Sequence, residues 1–351
     1  MSEQTTRREF LKDTGLVAGA IGVLNPMQAL AEAQTRATIK YPDGGAEHCI
    51  FIWLGGGAAQ IDMWDPKRVG DPKAKNAGSA YPAIDTAIPG VQVTEHLGQC
   101  AKILDRFCLL RTVNHDTKDE HAAATNRMHT GRPVSGTIVY PSIGSIVANQ
   151  RGKVTKGMPA YVVMGYPNLT RGPGFLGAQD GYIYLIDTEA GPAGLRRPSG
   201  ISDTRQTRRE QLLSGLRSGF RQRTSTDPAV KNYDSVIEEA FALGRGEFMN
   251  AFQLTNESGG LRESYGGEFG QRCLLARRLV QRGVRFIEVS FNLNFINGTG
   301  WDTHNEGQEK QHILIRQLDQ ALASLVLDLE KHKLFDKTLV VVATEFGRPA
   351  Q

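Results

Sequence analysis

The sequence predicts an α/β protein built on a mostly parallel central sheet flanked by helices. Three observations carry that expectation. Residues 49–54, 284–289 and 338–342 are apolar runs of the kind found in strands buried on both faces. Between the second and third, residues 308–331 repeat apolar side chains at helical spacing, and a strand–helix–strand order makes parallel strands. The first run ends in Gly55-Gly56-Gly57, a turn at the carboxyl end of a strand, where such sheets place their ligand chemistry.

Taken from the start, the chain opens on Arg7-Arg8 followed by Phe10-Leu11-Lys12 and a short apolar run over residues 14–24. Ala29-Leu30-Ala31, or Ala31-Glu32-Ala33, supplies an A-x-A cleavage site. These features predict a twin-arginine signal peptide over residues 1–33 and a periplasmic or secreted product. No other stretch is long and apolar enough to cross a membrane, so no span is expected after cleavage. Residues 34–351 then form one α/β domain, with no internal repeat and no clear linker.

Composition narrows the class. Hydrophobic content of 40% and charged content of 22% are those of a globular protein, and a net charge of +4 over 351 residues gives no reason to expect nucleic acid. Cys49, Cys100, Cys108 and Cys273 form no CxxC pair; they read as core residues, with one disulfide open to an exported chain.

The remaining elements follow in order. Residues 67–89 are rich in Gly, Pro, Lys and Asp and read as a surface loop. A helix around 97–104 leads to a strand at 107–113. A helix over 122–128 ends at His129-Thr130-Gly131-Arg132-Pro133, and Tyr140-Pro141-Ser142 starts another. Residues 159–164 read as a strand, and the Gly/Pro-rich stretch 165–200 as a loop bordering the site. Residues 202–223 carry arginines at helical spacing, read as the solvated face of a helix. Further helices are expected over 228–253 and 273–280.

Chemistry-bearing residues gather at the ends of these strands. His115, His121 and His129 fall within fifteen residues, beside Asp116, Asp119 and Glu120. Asp302 and His304 follow the 284–289 strand, and Glu345 and Arg348 follow the 338–342 strand. Mixed imidazole and carboxylate donors suit zinc, manganese or iron; an oxygen-only set would suit calcium or magnesium. Asp302 and His304, two apart in an extended segment, project to one side. His121 opens a helix, where free N–H groups favour an anion. The plainer reading is local pairing: His115 and His121 with neighbouring acids, Asp302 with His304, and Glu345 with Arg348.

The motifs together resemble one family. The arginine-pair leader, Gly55-Gly56-Gly57 with Gln60-Ile61-Asp62 and Asp65-Pro66-Lys67, and His115, His121 and Thr130-Gly131-Arg132 come first. Tyr140-Pro141-Ser142-Ile143-Gly144, Gly300-Trp301-Asp302-Thr303-His304 and Thr344-Glu345-Phe346-Gly347-Arg348 complete the set. In this order they resemble the exported bacterial "domain of unknown function 1501" family, related to the alkaline phosphatase and sulfatase superfamily. The resemblance implies a three-layer alkaline phosphatase-like sandwich and a metal-supported attack on phosphate or sulfate esters. It places the nucleophile at His121, ahead of Thr130-Gly131, and makes His121 either a nucleophile or a metal ligand. Asp62 matches a later acidic position, Gly56-Gly57 stand where a metal-binding Asp-Gly is usual, and Glu345-Phe346 stand for an Asp-His pair. The resemblance also implies a further carboxyl-terminal segment, so the chain looks truncated.

The metal set expected from these residues is Asp62, His115, His121, Asp302, His304 and Glu345, with His121 catalytic. Zinc, manganese, calcium and magnesium are the candidate ions, and a small-molecule or polysaccharide ester the candidate substrate. The competing expectations are a non-catalytic relative that binds an anionic ligand or a partner protein, and an inactive truncated product. The oligomeric state is left open.

Overall fold

The computed structural model describes residues 44–350 except 72, 156, 225–226, 246, 292–299 and 305–309. The chain divides into two units, Met1–Gly44 and Gly45–Gln351, and the fold below is that of the second. The expected leader lies outside the described residues. In chain order the strands are β1 His48–Trp53, β2 Ala83–Asp85, β3 Gln92–Thr94, β4 Tyr161–Met164, β5 Ile183–Leu185, β6 Phe286–Ser290 and β7 Thr338–Ala343. The α-helices are α1 Gly98–Lys102, α2 His121–Thr130, α3 Ile143–Arg151, α4 Asp203–Thr224, α5 Pro228–Arg245, α6 Gly259–Tyr265, α7 Glu268–Gln281 and α8 His312–Lys331.

Five strands make one sheet in the order β5–β4–β6–β1–β7, and every pairing is parallel. The expected α/β class is therefore what the chain adopts. The strand–helix–strand order β6–α8–β7 does give parallel strands, but β1 is inserted between them.

The sheet's period of two sorts its residues onto two unequal faces. Ile50, Ile52, Val162, Met164, Ile287 and Val289 join the large core under α7 and α8. There α8 buries Leu314, Ile315, Leu318, Leu322, Leu325 and Leu329, each worth about 2 kcal/mol of transfer from water. Phe51, Trp53, Tyr161, Val163 and Phe286 face a small core on the other side, closed by α2 and α3. β7 is the edge: Leu339 is 53% exposed, and residues 340–343 are half-buried.

Three expectations are corrected. Residues 107–113 form no strand; they run as a largely exposed connection, with Leu110 and Val113 in solvent, and pair with no strand among the described residues. The 67–89 stretch is not all loop, since Ala83–Asp85 pairs antiparallel with Gln92–Thr94. Among the cysteines, only Cys100 and Cys273 are core residues; Cys108 is exposed, Cys49 half-buried, and all four are free thiols.

Candidate functional site

The carboxyl ends of β1 and β7 meet where the glycine turn passes the Trp301-Asp302 segment. Trp301 is fully buried against Phe291, and its backbone N–H donates to Gly55 O at 3.1 Å, which fixes the start of the Asp302-Thr303-His304 stretch. Gly56, at φ +121°, could carry no side chain: a Cβ would lie 2.0 Å from the Asp302 nitrogen. Gly57, at φ +77°, lies against the Phe346 ring in the same way. The glycines thus admit the chain's own backbone and side chains at close range.

Glu345 is the hub. Only 2% exposed, its Oε1 accepts from Gly56 N and pairs with His121 Nδ1, both at 2.7 Å. The Thr344 hydroxyl sits 3.1 Å from Oε2 and 2.9 Å from Leu54 O, and accepts from Ala58 N. His115 Nε2 reaches the Glu345 carbonyl oxygen at 2.5 Å. The far nitrogen of His121, Nε2, lies 3.3 Å from Asp302 Oδ1. That oxygen also meets His304 Nε2 at 2.9 Å and the Arg348 guanidinium at 2.6 Å. Burial works to raise the Asp302 carboxyl, but the hydrogen bonds from Arg348 and His304 and the nearby imidazoles outweigh it and hold it below the ordinary carboxylate value.

Helix α2 presents His121 because its ends are well specified. Glu120 caps it, accepting from Ala122 N at 2.9 Å and Ala123 N at 2.5 Å, and Gly131 closes it in the left-handed conformation. The anion expected at this helix start is thus the chain's own Glu120 carboxylate, which takes up the N–H groups a ligand would need.

The structure therefore brings together five of the six expected residues: His115, His121, Asp302, His304 and Glu345. Asp62 has another post. It is 2% exposed and accepts from Ala80 N at 2.7 Å, pinning the loop beyond the glycine turn. Sequence reasoning missed what Arg348 does. Expected as a partner for Glu345, it donates instead to Asp302, Gly56 O and Gly57 O, and its backbone N–H meets Gln60 Oε1. Among the described residues, no group of three or more His, Cys, Asp or Glu converges in a way that would hold a metal ion.

The family model described as protein of unknown function (DUF1501) matches residues 46–351. The chain belongs to this family. No curated protein and no solved structure matches it. The match spans both the glycine turn and the Glu345 segment, so every member of the site just described lies within the family's shared region.

A second acid–histidine centre, absent from the expectations, lies at the other end of α2. Glu288 on β6 is fully buried and faces His129 Nε2 at 3.4 Å, Tyr161 OH at 3.3 Å and the Arg171 guanidinium. Burial alone would raise its pKa; the charges of Arg171 and His129 reverse that and bring it down to about 2. A lone acid inside the apolar run Phe286-Ile287-Glu288-Val289 was the available signal, since a buried carboxylate requires partners.

Proposed function

We propose that the chain is an exported hydrolase-like protein. It takes a phosphate or sulfate ester, of a small molecule or a polysaccharide, at the carboxyl ends of β1 and β7, with His121 as the reacting residue. The Glu345–His121 pair carries this reading. A buried carboxylate on Nδ1 fixes the ring and its tautomer and turns Nε2 towards the half-open side of the site. Attack by Nε2 on phosphorus or sulfur would form one N–P or N–S bond as the ester bond to the leaving oxygen breaks. The leaving oxygen takes a proton from water, and a second water then cleaves the new bond and frees the imidazole. Glu345 offsets the positive charge the ring carries in between. Arg348, beside the same opening, supplies fixed positive charge for the ester's oxygens.

Asp302, His304 and His121 are donor types that zinc or manganese accepts. As placed they do not fit a resident ion. The Asp302 oxygen that both imidazoles face already holds the Arg348 cation at 2.6 Å, and a second cation there would be repelled. No step above is therefore routed through a metal.

A second reading has its own observation. Nε2, the nitrogen that would react, already has a carboxylate at 3.3 Å, which favours a non-catalytic relative that binds an anion or a partner protein. The two separate in one experiment. Aryl phosphate and aryl sulfate turnover is measured for the wild type and His121→Ala, with metal content determined on the same samples. The hydrolase reading expects turnover that His121→Ala abolishes. Phosphate or sulfate binding without turnover of either ester gives the second reading. Turnover that survives the substitution removes His121 from the chemistry.

A further inference from the structure

Helix α4 stands apart from the rest of the fold. It is 22 residues long, about 33 Å, and contains no buried residue. Its six arginines outnumber Asp203 and Glu210. Two of the six are spent on α5: Arg217 pairs with Asp234 and Glu238, and Arg221 with the same two acids. Gln206, Glu210, Arg217, Arg221 and Thr224, all half-buried, mark this α5-facing side; Gly219, also half-buried, lies opposite them. The other four, Arg205, Arg208, Arg209 and Arg223, have no ion-pair partner among the described residues.

At about 100° per residue, Arg205, Arg209, Leu212, Leu216, Phe220 and Arg223 fall on one stripe, roughly a quarter-turn round the helix from the α5-facing side. Leu212 is 65% exposed, Leu216 77% and Phe220 50%. The stripe thus has an apolar middle and arginines at both ends.

We propose that this face of α4 docks on an anionic phospholipid bilayer. Arginines without an ion-pair partner are attracted to a negatively charged surface, and their long stems let the guanidinium groups stay at headgroup level. Leu212, Leu216 and Phe220 between them suit the boundary between headgroups and acyl chains, as in helices that lie in a membrane surface. A hydroxyl-rich anionic polysaccharide would match the arginines but leave the leucines in water. The inference is independent of the ester chemistry, which lies at the ends of β1 and β7.

The test is co-sedimentation of the full chain with vesicles of phosphatidylglycerol and phosphatidylcholine, against phosphatidylcholine alone. Binding is expected only to the anionic vesicles and should fall as salt rises. Arg205→Gln with Arg209→Gln should weaken it on the order of tenfold or more. Leu212→Gln with Leu216→Gln should weaken it while leaving the melting temperature unchanged, since these side chains touch no core. Absence of binding to anionic vesicles overturns the proposal. So does binding that both double variants retain, which would belong to the apolar stretch near the amino end. Self-association that the leucine variant abolishes would assign the face to a second copy. Binding to a sulfated polysaccharide but not to vesicles would assign it to that ligand.

Discussion

Helix α2 carries a histidine near each end, and each meets a glutamate from the central sheet. His129 meets Glu288 on β6, and His121 meets Glu345 just beyond β7. The pairs are alike in chemistry and opposite in surroundings. Glu288 and His129 are sealed against Phe51 and Trp53, and the Arg171 guanidinium pairs with the same carboxylate, so the acid's charge is matched out of solvent. Glu345 is equally buried, but the His121 side chain is 37% exposed and its second nitrogen faces Asp302, which is itself partly exposed. What separates a structural acid–histidine pair from one available for chemistry is how much of the ring stays open to solvent, 4% of the side chain at His129 and 37% at His121. The difference follows from strand position. Glu288 lies within β6, under a helix, whereas Glu345 lies past the end of β7, where the sheet stops covering its own residues.

The largest effect is expected at the sealed pair. Its carboxylate has an ordinary value of 4.5 and about 2 in the folded chain. A depressed folded value means stability that is fully present above pH 4.5 and lost as pH falls through about 2. The shift is worth about 3 kcal/mol. Glu288→Gln should therefore lower unfolding free energy by about that much at pH 7, measured by urea titration. The gap from wild type should close between pH 4.5 and 2. A gap that stays constant across that range would show that packing, and not charge, is what the position contributes.

At the open pair the corresponding change should be felt in chemistry. Glu345→Gln keeps an acceptor for Gly56 N but loses the negative charge on His121. Ester turnover should drop about 100-fold, with a much smaller stability loss than for Glu288→Gln. The histidines give the matching contrast. His129→Ala should cost about 2 kcal/mol or more, because it opens a cavity and removes one of the partners facing Glu288. His121→Ala should cost less than His129→Ala, because the His121 ring is 37% exposed and the buried Glu345 carboxylate keeps Gly56 N and the Thr344 hydroxyl as partners. Equal losses from the two substitutions would break the comparison.

How much of this the sequence disclosed depended on whether a residue's partner was near in the chain. The apolar runs at 49–54 and 338–342 announced parallel strands, the first buried as expected and the second a half-exposed edge, and α2 was legible from its alanines and Gly131. Asp302, His304 and Glu345 were found because each follows a strand. The run 107–113 misled: its apolar residues suit a strand, but strand formation also needs a partner strand, and that is a tertiary matter. Arg348 was placed with its sequence neighbour Glu345, whereas Asp302, 46 positions away, holds it through a contact no spacing announces. Asp62 looked like a ligand because acids that pin a loop and acids that bind an ion have the same letters.

The smallest effect should come at Asp302, and it bears on the open pair most directly. Asp302 is partly exposed and is faced by the Arg348 guanidinium and two imidazoles. Its negative charge occupies the place where an anionic ester would present its own. Asp302→Asn removes that charge, keeps the shape, and leaves Arg348 and the histidine nitrogens to an incoming anion. Stability should change by less than about 1 kcal/mol, since a solvent-screened pair contributes little. Affinity for inorganic phosphate, followed by calorimetry, should rise several-fold, because a repulsive neighbour is gone. Weaker binding would mean that Asp302 belongs to the binding set itself, held to the anion through a bridging cation. In that case the donor chemistry of Asp302, His304 and His121 would outweigh the arginine beside them.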